Sequence, residues 1–388
     1  MSKTSIEWTQ ATWNPIVGCS IVSPGCTNCY AMAMAARIQK MNRTGGSNSA
    51  YVNHYDGTTK VVNGNPVWTG KLAKAPNKVW MEPLGRKKPT TYFVNSMGDL
   101  FHEDVPDEWI LDALTVIAIA GQHTFQILTK RADRMREFMS RPDLLEDIYV
   151  NWYSFDGGAR EVQSWPLHNL WLGVSTERQK EADERLWDLI NTPAAVHFAS
   201  IEPMLGPIDL TRIRAPIDPH APDEEWLFDA LGAGDIYEQR FTNSLGNVWF
   251  ACGDGPYREA KLDWVIVGGE SGPGSRPMHP DWARSLRDQC LAAGVPFFFK
   301  QWGNWYPIID RDKEGWDKAP LRSDREPDKY RIHNFAGGQG FHGERVHLMQ
   351  RYGKKASGRL LDGLVHDEMP AAFSGRRAIT DQLEGAAP

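Results

Sequence analysis

No run of about 18 apolar residues occurs in the 388-residue chain, which leaves no candidate for a membrane-spanning helix. The opening MSKTSIEWTQ has no apolar leader, so nothing marks it for export and a cytoplasmic location is expected. A basic excess is also missing. The net charge of −6 argues against a surface that coats nucleic acid broadly, while leaving a local groove open. Cysteine is scarce, and its odd count of five does not suit the paired framework of a small secreted domain. No internal repeat or low-complexity tract is present, and no segment matches a P-loop or dinucleotide fingerprint.

What is present is a core and a rhythm. Hydrophobic residues make up 41% of the chain, enough for one large α/β barrel or two ordinary domains. Most of the sixteen tryptophans read as core or pocket walls. Runs rich in β-branched and aromatic residues alternate with helical patterns, the mark of a parallel sheet. The strands expected are 12–17, 91–96, 124–130, 170–176, 195–202, 263–268 and 295–301. Helices are expected over 30–40, 107–120, from 132, over 180–190 and over 280–293. Residues 41–66 read as loops and 211–261 as an insertion on a barrel rim. The fold expected is therefore a partial or complete β/α barrel over 1–305. Residues 306–388 form a polar extension packing on it, in which only 358–363, GRLLDG, resembles a packed hairpin. In such barrels the chemistry sits at the carboxyl ends of the strands.

Three of the cysteines, Cys19, Cys26 and Cys29, fall within eleven positions on the loop after the first strand. Thiolates are soft ligands that suit iron–sulfur clusters and zinc. The Cys26–Cys29 pair can grip one edge of a four-iron cubane while Cys19 reaches a third iron, leaving one iron open. That open corner is what S-adenosylmethionine (SAM) needs for chelation. The alternative is structural zinc, which requires a fourth ligand. No His lies between residues 1 and 53, and Cys252 and Cys290 are remote in the chain.

The other strand ends deliver polar groups: Ser96 and Asp99, Thr129 and Lys130, Ser175, Glu202, Gly268 to Glu270, then Lys300 and Gln301. The glycines at 268, 269, 272 and 274 permit close backbone approach, with Arg276 placed to hold a carboxylate or phosphate, or simply form a tight turn. Lys71, Lys74, Lys78, Arg86, Lys87 and Lys88 accompany Trp68 and Trp80, a mixture that suits nucleic acid or a merely solvated face.

The segments SIEWTQATWNPIVGCSIVSPGCTNCYA, FVNSMGDLFHEDVP, ILTKRADRM, LWLGVSTE, SIEPMLGPIDL and WVIVGGESGPGSRPM together resemble the phage-associated, three-cysteine-motif family of radical SAM-like proteins. The resemblance spans most of residues 5–305; the Ser96–Asp99 and Thr129–Lys130 stretches are more distantly similar to the spore photoproduct lyase branch. It implies a 4Fe–4S cluster on Cys19, Cys26 and Cys29, with Ser96 and Asp99 approaching the SAM amino group. By the same resemblance Tyr30, Thr129, Lys130, Ser175, Gly268, Gly269 and Glu270 are cofactor-binding positions, and Glu202, Lys300 and Gln301 are catalytic. It further implies SAM as cofactor, an external electron donor of flavodoxin or ferredoxin type, and a partner protein encoded alongside. The sequence departs from the wider superfamily in two places: six residues separate the first two cysteines rather than three, and Asn28 stands where an aromatic is usual, with Tyr30 following. A nucleobase, in nucleic acid or as a nucleotide, is the substrate expected. Radical modification of a protein or metabolite, including aminocarboxypropyl transfer, is an alternative, as is a non-enzymatic metal-bound binding module.

Overall fold

The computed structural model describes residues 4, 6–43, 53–156, 165–215, 225–232, 236–242, 248–254, 260–310, 326–340 and 345–371. Its central feature is a seven-stranded sheet. The strands are β1 (Ala11–Trp13), β2 (Thr91–Val94), β3 (Thr124–Thr129), β4 (Leu170–Ser175), β5 (Val196–Ile201), β6 (Trp264–Gly268) and β7 (Phe297–Gln301), and their order in the sheet is their order in the chain. The paired strands run parallel, and β1 and β7 are the two edges. Parallel strands covered on both faces must be apolar without alternation. Accordingly β2, β4, β5 and β6 are buried along their whole length.

The helices are α1 (Tyr30–Arg43), α2 (Asp107–Ile119), α3 (Ala132–Met139), α4 (Leu144–Asp156), α5 (Gln179–Ile190) and α6 (Pro280–Ala293). Helix α2 opens with Asp107 and Glu108, where negative charge favours the helix dipole, and buries a stripe of Ile110, Ala113, Leu114 and Ile117. Helix α6 begins with Pro280 behind the cap residue His279 and stops at Gly294, whose left-handed φ of 65° glycine adopts without strain.

The chain divides into two compact units, Met1–Ser175 with Asp188–His197, and Thr176–Trp187 with Phe198–Pro388. In the first, Trp13, Val94, Ile127 and Leu172 stand in register across β1 to β4, all fully buried. In the second, Ile201, Val267 and Phe299 form the corresponding row across β5, β6 and β7. Each such side chain contributes about 1.5–3 kcal/mol of hydrophobic stabilisation. Past these rows the strands run out into the polar residues considered below.

Several elements differ from the sequence expectation. The first strand is broken at Pro15, which has no N–H for a ladder; Ala11–Trp13 joins the sheet while Ile16–Val17 pairs antiparallel with Ala73–Lys74. Within 41–66, expected to be loop, a hairpin joins Thr59–Val62 to Asn65–Trp68 through Asn63 and Gly64, both at positive φ as a two-residue Asn-Gly turn demands. Residues 44–52 lie outside the described residues. The rim insertion contains a four-stranded antiparallel sheet, Ile213–Arg214, Glu225–Phe228, Ile236–Thr242 and Val248–Asp254. The extension is no featureless tail: Trp305–Asp310, Val346–Arg351 and Tyr330–Asn334 make a three-stranded antiparallel sheet. The hairpin expected at 358–363 is a minimal one at 361–364, where the two-residue turn Asp362-Gly363, both at positive φ, closes an antiparallel bridge between the buried Leu361 and the exposed Leu364. Residues 360–368 lie along β6 and β7 through Trp264 Nε1 to Glu368 O, Phe299 N to His366 O and Trp302 Nε1 to Leu360 O. Among the described residues no helix is long and apolar enough to cross a membrane.

Candidate functional site

In the first unit the cysteine loop is held by close backbone packing. Gly18 bridges Gly98 in the turn after β2, and its N–H donates to Met97 O at 3.1 Å. It adopts φ +97°, and a Cβ there would lie 2.1 Å from Lys71 O, so no other residue fits. Pro24–Cys26 then forms a turn of 3-10 helix, and Cys29 immediately precedes α1.

The three thiols have different surroundings. Burial pushes Cys19 up to about 12, with Asp99 adding to the effect and Arg131 opposing it. Burial acts to raise Cys26 as well, but the Lys130 ammonium and hydrogen bonds at Val22 and Ser23 outweigh it and the thiol is held below its usual value. Burial raises Cys29, against hydrogen bonding at Ala31 and Met32 in the first turn of α1. The charge of Cys26 is felt at both Cys19 and Cys29, so the three sulfurs share one neighbourhood. Tetrahedral zinc with bonds of about 2.3 Å would draw its thiolates to about 3.8 Å apart. Among the described residues, the three His, Cys, Asp or Glu side chains with ligand atoms within 4.8 Å of one another are His279, Asp281 and His347, with no cysteine among them.

Two cations face the thiols. Lys130, at the end of β3, donates from Nζ to Ser23 Oγ in the cysteine loop and to Ser175 Oγ at the end of β4, both at 3.1 Å. Arg131 donates to Cys19 Sγ at 3.5 Å, Asp99 Oδ2 at 3.1 Å, Ser20 Oγ at 2.6 Å and Glu103 Oε2 at 2.9 Å. Burial raises the Glu103 carboxyl, but Arg131 outweighs it and holds the group down at about 2. His102 is fully buried, and burial lowers it, with the Arg131 charge adding to that. Its Nδ1 accepts from Asp104 N, which assigns the proton to Nε2, 2.8 Å from Ser20 Oγ.

Asp99 is committed within the protein. Its Oδ1 accepts from Thr129 Oγ1 at 2.7 Å and Phe101 N at 3.0 Å, and its Oδ2 from Lys130 N at 3.2 Å and Arg131. Ser96 Oγ donates to Asn14 Oδ1, and Ser96 O accepts from Tyr30 Oη at 2.8 Å. Asp99 thus ties the end of β2 to that of β3, and Ser96 ties it to the segment after β1 and to α1.

A second polar group lies in the second unit. Glu202, just past β5, pairs with Lys300 Nζ at 2.7 Å and accepts from Gln301 Nε2 at 3.0 Å. Gln301 Nε2 also donates to Gly269 O, and Gln301 Oε1 is a buried acceptor without a partner. A Cβ on Gly268 would meet the Glu202 carboxyl at 3.2 Å, and one on Gly269 would lie 2.0 Å from Trp302 O. Arg276 does not await an external anion: it grips Glu270 through Nε at 2.8 Å and Nη2 at 2.5 Å.

The basic stretch is also reassigned in part. Trp68 and Trp80 are 6% and 2% exposed, so they are core rather than stacking platforms. Lys74 pairs with Asp112 and covers the Trp80 ring at 4.4 Å. The sequence alone did not mark Ser20, Ser23, His102, Glu103 and Arg131 as site residues, although Ser20 directly follows Cys19 and Arg131 directly follows Lys130. Cys290 is fully buried on α6, and the side chain of Cys252 lies outside the described residues.

Fold and site together define an α/β protein with a parallel sheet, a three-thiol loop after its first strand and two polar clusters at strand ends. A family model described as "Protein of unknown function (DUF5131)" matches residues 3–370, and the chain belongs to that family. No curated protein and no solved structure matches the chain.

Proposed function

We propose that the chain is a radical SAM enzyme built on a partial β/α barrel, with Cys19, Cys26 and Cys29 holding a 4Fe–4S cluster. The observation that carries this reading is the disposition of the thiols. They stand on one loop, Cys26 acts electrostatically on both others, and among the described residues no His, Asp or Glu joins them in a compact ligand group that would close a zinc site. That disposition fits a multi-iron centre better than closed tetrahedral zinc. When bound, the cluster would supply an electron to SAM chelated at the iron without a protein ligand.

The chain's own residues have roles consistent with this. Arg131 and Lys130 bring positive charge to three ligands that must be thiolate to bind metal. Asp99 and Thr129 fix the backbone from which both cations project. By the sequence resemblance, Ser96, Ser175 and Tyr30 of the first unit and, separately, Gly268, Gly269 and Glu270 of the second are assigned to cofactor binding, and Glu202, Lys300 and Gln301 to the chemistry on the substrate. The substrate class proposed is a nucleobase. Its support is the sequence resemblance and the exposed Lys71, Lys78, Lys87 and Lys88, now without the two tryptophans. A flavodoxin- or ferredoxin-type donor would reduce the centre.

Anaerobic reconstitution with iron and sulfide tests the proposal. A brown protein with roughly four irons per chain, lost in Cys19→Ser, is expected. Incubation with reductant and SAM should then yield 5′-deoxyadenosine or methylthioadenosine by mass spectrometry. A colourless protein retaining zinc on the thiols would overturn the reading.

A further inference from the structure

The C-terminal three-stranded sheet presents two unlike faces. Tyr330, Ile332, Val346 and Leu348 cluster on one. On the other, antiparallel register places His333 opposite His347 on the central strand, and Asp310 opposite His347 on its other side. The N-terminus of α6 comes against this second face: the His279 ring lies 4.7 Å from His347 and 5.9 Å from His333, centroid to centroid.

His279 alone is explained by capping, since its Nδ1 accepts from Asp281 N at 3.2 Å. Capping does not explain three imidazoles gathered at 0%, 3% and 3% exposure. Nor does it explain His333 Nε2, a buried polar atom with no hydrogen-bond partner. An unsatisfied buried group of this kind is costly, and an ion or ordered water beside it is an ordinary remedy.

We propose that His279, Asp281 and His347 bind a divalent transition-metal cation that pins α6 to the C-terminal sheet. One ligand atom from each lies within 4.8 Å of the others, near enough that modest side-chain movement brings all three to the roughly 3.3 Å separation of nitrogen and oxygen ligands on one tetrahedral ion. Two imidazoles and a carboxylate suit zinc, cobalt or iron(II) rather than magnesium or calcium, which favour all-oxygen sets. The surroundings resemble those that orient metal ligands. His279 Nε2 donates to Arg345 O at 2.9 Å, which leaves Nδ1 as its ligating atom, the ion taking the lone pair that the Asp281 N–H otherwise occupies; Asp310 Oδ2 lies 3.9 Å from His347 Nε2. Arg284 occupies Asp281 Oδ1 at 2.8 Å, and a carboxylate has a second oxygen to offer. His333 stands beside the trio as a candidate fourth ligand, with water as the other. This site is independent of the cysteine loop and of the reaction assigned to it.

Cobalt(II) titration of the full chain tests the proposal, because thiolate ligation gives intense charge-transfer bands and nitrogen–oxygen ligation only weak d–d bands. One equivalent with the weak spectrum is expected. Its affinity should fall at least about tenfold in His347→Gln and in Asp281→Asn. Circular dichroism confirms that each variant is folded; Asp281, the half-buried member, decides the matter if His347→Gln does not fold. A wild-type chain showing only the thiolate spectrum overturns the site, as do folded variants that titrate like wild type.

Discussion

Arg131 donates to Asp99 across 3.1 Å from side chains that are 8% and 7% exposed, which makes the pair a buried ion pair at the edge of the cysteine loop. The same guanidinium reaches Cys19 Sγ, so the carboxylate of Asp99 determines where positive charge stands beside the first thiol. Removing one partner of a buried pair leaves the other charge uncompensated. Asp99→Ala should cost about 3–5 kcal/mol by urea denaturation, discounted toward the lower end because Glu103 also pairs with Arg131. A loss below about 1 kcal/mol would show the pair to be incidental.

Two glycines at positive φ separate backbone strain from steric exclusion. Gly64, at +78°, has nothing within 4 Å of an added Cβ, so Gly64→Ala should cost only the left-handed penalty of about 1–2 kcal/mol. Gly18 carries the same kind of penalty plus the contact with Lys71 O. Gly18→Ala should therefore melt well below Gly64→Ala and take up less iron on reconstitution. Equal melting temperatures would contradict the packing described for the loop.

Lys300 and Glu202 are 13% and 20% exposed at the side chain, and their contact is 2.7 Å. A double-mutant cycle with Lys300→Met and Glu202→Leu should show coupling, the double variant being more stable than the two single losses sum to. Under the proposed function Lys300→Met should also lower turnover about 100-fold or more, with iron content unchanged. Unaltered turnover would remove Lys300 from the chemistry.

Asp362 is held down at about 2, chiefly by its hydrogen bonds with Arg284 and then, after a smaller opposing effect of burial, with Arg287. A carboxyl depressed in the folded state contributes stability that is present above its unfolded value, near 3.8, and is lost as pH falls toward 2. With the group about a third exposed, solvent screening limits that contribution to about 1 kcal/mol. The difference in urea stability between wild type and Asp362→Asn should be constant from pH 7 to 5 and close between pH 4 and 2. A gap that widens on acidification would reverse the assignment.

The parallel strands were legible from local chemistry because burial on both faces forces unbroken apolar runs such as residues 92–94 and Trp264–Gly268. That three thiols stand on one loop after β1 was legible too, since their spacing in the chain sets it. The antiparallel sheets of the rim and the C-terminus were not. Strands such as Trp305–Asp310 mix buried and half-buried positions, and their partners lie tens of residues away. Even the Asn63-Gly64 turn, a local signal, was obscured by the polar residues around it.

The residue types available at the strand ends, and the order in which they arrive, follow from sequence alone. Which of them face one another does not. Lys130 reaches Ser175 across 45 residues and Glu202 reaches Lys300 across 98, and only the parallel register brings those ends level. The fold likewise turned Trp68 and Trp80 inward, because burial is a property of the assembled core rather than of any segment.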